Sequence, residues 1–256
     1  MSDDAPTFTI ERTAKRADIV LNRPHRLNAF TVQAIYNLSA QIEELAADPE
    51  LRIVTLRGNG RAFSTGVDLK EAPQDGMGQN RTQAWERMLR TVETMDKLVL
   101  CFIHGYAVGG GLQLALACDI RICAASARMG LPAGKEGIIP GLATYRLARY
   151  VGLGRAKQLI YLGNLIEADE ALRIGLVDHL VEEDEPVAAF DKWVSDYDGA
   201  FSAGGRNAKP LLADCFHSDF ETFLADYERQ QAKAVASPDY IEAQAAYREK
   251  RDANWQ

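Results

Sequence analysis

The chain has 256 residues, 47% of them apolar and 25% charged, enough to bury a large core in one domain or in one domain plus a small appendage. Its formal net charge of −7 excludes broad electrostatic binding to nucleic acid or to anionic membranes, so a phosphorylated ligand would need a local basic patch. No apolar run approaches the ~20 residues that span a bilayer, and the opening MSDDAPTFTIERTAK has no apolar signal core; a cytoplasmic protein is expected.

In chain order, DIVLN reads as the first short β-rich run. TVQAIYNLSAQIEELAADP follows as a helix, with Thr31 as its cap, Val32, Ile35, Ile42 and Leu45 on an apolar face, and Asp48-Pro49 as its end. RIVTLRG is a second strand. RTQAWERMLRTVETMDK predicts a second helix that places Trp85, Met88, Leu89, Val92 and Met95 on one side. LVLCFIHG and DIRICA continue the alternation of strand and helix, which makes the fold class α/β. Beyond Ser126 strands become scarce, and segments 156–161, 168–174, 220–227 and 243–251 read as helices. The chain thus changes from mixed to mainly helical, and the expected domains are a core over 1–198 and a helical C-terminal region over 199–256. The glycine-bearing DYDGAFSAGGRNAKP reads as a hinge before the last helices. Cys101, Cys118, Cys123 and Cys215 have no CxxC spacing and read as free thiols, three of them in apolar surroundings.

Glycine meets a strand-to-helix change in two places, GNGRAFSTGVDLKE and HGYAVGGGLQLA. Glycine lets the backbone turn with positive φ and lets a ligand approach closely, and a helix start offers unpaired N–H donors at a positive dipole end. One N–H from each loop can converge on a single oxygen, as stabilising an enolate or tetrahedral oxyanion requires. Close helix–strand packing without a ligand is the competing reading. Neither loop has the GxGxxG spacing of a dinucleotide site.

These two loops and their flanks resemble the crotonase superfamily, the enoyl-CoA hydratase/isomerase family, over nearly the whole chain. LNRPHRLNAFT is similar to the family's opening strand, turn and helix, GRAFSTGVDLKE to its first oxyanion loop, and HGYAVGGGLQLALACDIRI to its second; GIIPG, EALRIGLVDHLV and YREKRDAN also resemble family segments. The resemblance implies a spiral of ββα units, a C-terminal helical region that forms a homotrimer or hexamer, and an acyl-CoA substrate. No cofactor beyond its coenzyme A moiety, no metal, no nucleic acid and no membrane is implied. Carried over residue by residue, the N–H groups of Val67 and Gly110 are the donors to the thioester oxygen. Thr65, Asp68, Leu69 and Lys70 follow the adenine and pantetheine, and His25, Arg26 and Ala29 match the loop that touches the nucleotide.

The pattern departs from family hydratases at their two catalytic glutamates, which correspond here to Gln113 and Ala133. A carboxamide donates and accepts hydrogen bonds but does not exchange a proton at useful pH, and alanine does neither. The expectation is therefore an enolate-stabilising thioester enzyme other than a two-glutamate hydratase. Glu136 is the nearest alternative acid; it either enters the pocket or pairs with Lys135, Arg146 or another arginine. Asp119 and His104 read as structural, and Tyr145 as aromatic packing. GGGLQ, LPAGKEGIIPG and RLARYVG together most resemble the cofactor-independent dihydroxyphenylacetyl-CoA dioxygenase branch, in which Gln113 would orient substrate or oxygen and Ile138 would enclose the oxygen. A catalytically silent CoA-thioester binding subunit is the third reading.

Overall fold

The computed structural model describes residues 6–68, 79–182 and 185–255. Six strands form one sheet in the order β1-β2-β3-β4-β6-β9: β1 (Phe8–Arg12), β2 (Arg16–Leu21), β3 (Ile53–Gly58), β4 (Leu98–Ile103), β6 (Ile120–Ala124) and β9 (His179–Val181). The β1–β2 hairpin is antiparallel and every later pairing is parallel. Parallel neighbours require crossovers, which α1 (Val32–Ala47), α2 (Gln79–Thr94) and the pair β5 (Tyr106–Val108) and α3 (Gly110–Ala117) supply. A second sheet of β5, β7 (Arg128–Gly130) and β8 (Ile166–Glu167) lies in the order β5-β7-β8.

The unbroken apolar run of β4 has a direct physical meaning. Val99, Cys101 and Ile103 join the core beneath α1 and α2, while Leu98, Leu100 and Phe102 join a second cluster with Phe190 and Val194 of α6 (Pro186–Ala200). Successive side chains point to opposite faces, so a strand covered on both faces loses its polar alternation. Thr31 caps α1 as expected, its side chain accepting the Ala34 N–H at 3.0 Å. The predicted stripe of α2, from Trp85 to Met95, is buried. Cys101, Cys118 and Cys123 are buried free thiols and Cys215 is exposed; burial pushes the Cys123 thiol up to about 12, which removes it as a nucleophile.

The later helices are α4 (Ala143–Leu162), α5 (Ala168–Arg173), α6, α7 (Ala203–Asp214), α8 (Phe220–Val235) and α9 (Pro238–Glu249). The expected hinge at DYDGAFSAGGRNAKP is instead mostly helix, broken only at Phe201-Ser202. Ser202 caps α7 by accepting the Gly204 N–H, Asp239 accepts the Ala203 N–H at 2.6 Å, and Arg52 donates to the Phe201 carbonyl at 2.6 Å. Polar capping satisfies the free backbone groups that a glycine-rich composition leaves open. The last predicted helix ends at Glu249, because Lys250 takes a left-handed cap. No helix among the described residues is long and apolar enough to cross a membrane.

One buried network ties α7 to the sheet. Asp119 accepts the Val99 N–H and the Lys209 ammonium, each at 2.7 Å, and Lys209 also donates to the Lys97 and Val92 carbonyls. Lys209→Met leaves those acceptors without their donor and is expected to lower stability by about 3–5 kcal/mol in urea denaturation. His104 is structural too, bonded through Nε2 to the Gly60 carbonyl at 3.0 Å and stacked on Phe102. Burial holds its imidazole below the ordinary histidine value, with the Gly60 carbonyl opposing. Below the unfolded value near 6.5 the unfolded chain therefore binds more protons than the native one, and stability falls as pH falls through that window. His104→Gln should flatten the slope of melting temperature between pH 7.5 and 5.5.

Candidate active site

The first glycine loop follows β3 and is held from both sides. Asn28, at a φ of 55°, donates through Nδ2 to the Asn59 and Ala62 carbonyls, and Ser64 Oγ donates to the Asn28 carbonyl. On one edge Phe30 N–H donates to the Gly66 carbonyl at 2.7 Å, and Asp68 N–H donates to the Phe30 carbonyl at 2.9 Å. On the other, Ser64 N–H donates to the Tyr106 carbonyl and Val108 N–H to the Ser64 carbonyl, each at 3.0 Å. Because adjacent amides of an extended segment alternate between its edges, the Val67 N–H does not share the Phe30 edge that the Asp68 N–H occupies.

The second loop turns at Gly109, with φ of 55°, and begins α3 at Gly110. The first helical bond runs from the Gln113 N–H to the Gly109 carbonyl, so the Gly110 N–H has no helical acceptor. The two loops nearly touch. A Cβ on Gly66 would lie 2.5 Å from the Gly110 nitrogen, and one on Gly110 would lie 3.6 Å from the Val67 nitrogen. Gly111 is required for a different reason: its Cβ would meet the Ser64 carbonyl oxygen at 2.1 Å.

Both nitrogens belong to residues lining a cavity of about 120 Å³, together with Thr65, Gln113, Ala133, Glu136 and Ile138. The structure thus brings together the predicted residues of both loops and of the segment after β7. Gln113 is buried, and its Oε1 accepts the Trp85 indole N–H at 3.4 Å. Ala133 and Glu136 share the short 3-10 turn Pro132–Glu136, in which side chains three residues apart eclipse. Ala133 is buried in the wall, whereas Glu136 is exposed at the mouth. Two of the expected partners of Glu136 are engaged elsewhere: Lys135 bonds Asn164, and Arg146 bonds Glu86 and Glu93.

The residues matched to the nucleotide lie outside this cavity. His25 and Arg26 are exposed on the turn Pro24–Arg26, which abuts the first loop through a bond from the Thr65 N–H to the Leu27 carbonyl. Arg23 pairs with Asp68 at 3.2 Å and donates to the carbonyl of half-buried Ala29 at 2.8 Å. Leu69 and Lys70 fall outside the described residues. Tyr145 and Asp119 line a separate apolar cavity of about 560 Å³ between α2, α4, α6 and α7, which contains neither Val67 nor Gly110.

Sequence reasoning missed Arg81 and Glu86, which line the smaller cavity. The signal was present for Arg81: it lies one turn before Trp85, so the buried stripe of α2 carries a charge at its first position. Glu86 is fixed, with Oε1 accepting the Leu142 N–H at 3.0 Å and Oε2 accepting Arg146 at 2.7 Å.

A family model described as enoyl-CoA hydratase/isomerase matches residues 11–256. The chain belongs to the enoyl-CoA hydratase/isomerase family. It is 33% identical to a short-chain-enoyl-CoA hydratase of Clostridium acetobutylicum over 94% of each chain. It is 32% identical to a crotonyl-CoA hydratase of Syntrophomonas wolfei over 96% of each. The crystal structure of an enoyl-CoA hydratase from Bacillus anthracis superimposes with a TM-score of 0.89 at 31% identity, covering 97% of this chain and 98% of that one. The mixed α/β spiral with a helical C-terminal region is thus the crotonase fold, and this member of the family is an acyl-CoA-processing enzyme.

In this family member the close approach of the loops yields a direct prediction. Gly66→Ala places a methyl group against the Gly110 nitrogen at a residue whose φ is 88°. Acyl-CoA turnover should fall by about 10²-fold, the loss that a displacement of about 1 Å in a site wall can cause. Gly154→Ala, where the added Cβ meets nothing within 4 Å, should leave turnover unchanged under the same steady-state assay.

Proposed function

We propose that the enzyme forms a thioester enolate, with the Val67 and Gly110 N–H groups donating to the thioester oxygen and Glu136 carrying the proton. The observation that carries this reading is the proximity of two amide nitrogens, each without a partner along its own element, in one cavity wall. As the α-proton moves to the Glu136 carboxylate, the C–H electron pair shifts into the enolate and negative charge gathers on oxygen. Pre-aimed donors stabilise that charge without reorganising. Return of the same proton to the γ-carbon shifts a β,γ double bond into conjugation. One carboxylate suffices for this step, whereas adding water across the double bond by the two-glutamate route uses two.

Gln113 supports orientation in this scheme, because its amide donates and accepts without exchanging a proton. Glu86 is held by Arg146 and the Leu142 N–H, so Glu136 is the acid with freedom to move. His25, Arg26 and Lys70 supply the local positive charge for the coenzyme A nucleotide, which Ala29 also touches, Thr65, Asp68 and Leu69 follow the rest of the carrier, and Ile138 contributes to the cavity wall. The exposed apolar residues Leu212, Phe216, Phe220, Ile241 and Tyr247 on the C-terminal region 199–256 support burial between copies, as a trimer or a pair of trimers.

Exchange of α-protons in D2O, followed by NMR on a saturated acyl-CoA, reads enolate formation whatever reaction completes it. The wild type should exchange, and Glu136→Gln should slow exchange by about 10²–10⁴-fold with little change in thioester affinity. Unchanged exchange removes Glu136 from the role. Replacement of both catalytic glutamates by Gln113 and Ala133 also favours a second reading, cofactor-free oxygenation of an arylacetyl-CoA enolate. Oxygen uptake without added metal would establish that route, while tight thioester binding without exchange would establish a silent binding subunit.

A further inference from the structure

Arg81 presents the sharpest electrostatic problem among the described residues. Its relative exposure is 5%, and both terminal guanidinium nitrogens, Nη1 and Nη2, are buried without a hydrogen-bond partner. Guanidinium keeps its charge at any working pH, and a buried charge without a partner costs several kcal/mol. A fold tolerates that cost where a ligand supplies the missing anion. Arg81 lines the same cavity as Val67, Gly110 and Gln113.

The acids in that lining do not serve Arg81. Glu86 has both oxygens committed to the Leu142 N–H and Arg146, and Glu136 is exposed at the mouth with no bond to Arg81. Among the described residues the other polar side chains of the wall are Thr65, Thr82, Trp85 and Gln113, none of which carries charge. The coenzyme A phosphates are poor candidates, because they travel with the solvent-facing carrier while Arg81 is enclosed beside the reacting end. We propose that the acyl chain of the substrate ends in a carboxylate, received by the two free guanidinium nitrogens of Arg81. This inference rests on the acyl-CoA reading above and narrows it to short monothioesters of dicarboxylic acids. Two parallel N–H donors match a carboxylate in a bidentate fork, and a cavity of about 120 Å³ suits a short chain.

The test compares glutaryl-CoA with 5-methylhexanoyl-CoA, in which an isopropyl group of the same shape replaces the carboxylate. Calorimetric titration of the full-length wild type should show glutaryl-CoA binding about 10- to 100-fold tighter, the range for hydrogen bonds to charged groups. Arg81→Met should abolish that preference by weakening glutaryl-CoA binding. The ligand-free Arg81→Met protein should melt no lower than wild type, since it loses a buried unpaired charge; a purely structural arginine would give a lower melting temperature. Equal affinity of wild type for the two thioesters, weak glutaryl-CoA binding, or a preference that survives Arg81→Met would overturn the proposal. The catalytic reading is judged separately by α-proton exchange. An Arg81-dependent preference without exchange refutes the enolate chemistry and keeps the carboxylate site. Exchange without a preference does the reverse.

Discussion

The candidate site depends on one close approach between two loops, possible only because neither carries a side chain at the point of contact. Gly66 lies so near the start of α3 that a single methyl group there would occupy the space of the Gly110 amide. Everything around the approach serves to hold it. The parallel sheet delivers β3 and β4 side by side, and Phe30 and β5 grip the first loop from opposite edges. Asn28, in a left-handed conformation, ties the opening turn to that loop through three hydrogen bonds, its Nδ2 donating to the Asn59 and Ala62 carbonyls and its carbonyl accepting Ser64 Oγ. A helix start then meets an extended segment, the Gly110 nitrogen lying beside Gly66 and Val67, which is the place proposed for the enolate's negative charge.

Charge elsewhere in the site is arranged to stay fixed. Arg146 is buried between Glu86 and Glu93 and joins α4 to α2 across the wall that separates the two cavities. Burial works against its charge, but the bonds it donates to Glu93 and Glu86 more than compensate, and the guanidinium is held above its ordinary value. Glu86 is consequently a wall, although it is an acid beside a reactive cavity. Arg81 stands in contrast, since the same helix places it in the same cavity without an anion. The pair shows how one amphipathic helix contributes both a satisfied charge that shapes the pocket and an unsatisfied one that awaits a ligand.

Much of this arrangement was legible in the sequence because it follows from local rules. The capping threonine at position 31, the apolar stripe of α2 and the two glycine loops each announce themselves through spacing. The absence of carboxylates at Gln113 and Ala133 is equally plain. What escaped was set by distant partners. The stretch around Gly204 and Gly205 reads as a hinge until Asp239 and Arg52 supply hydrogen bonds from elsewhere in the chain. Glu86 looks like a solvated helix face until Arg146, sixty residues on, closes over it. Arg81 was visible in principle as a charge on a buried stripe, but its lack of a partner is a property of the folded molecule alone.

The central claim is geometric, and crystallography of the protein with a bound, unreactive acyl-CoA thioester addresses it most directly. The account predicts the thioester oxygen about 2.7–3.1 Å from both the Val67 and Gly110 nitrogens, the range of effective oxyanion donors. A thioester oxygen bound away from these two amides, with either N–H turned to another acceptor, would contradict it.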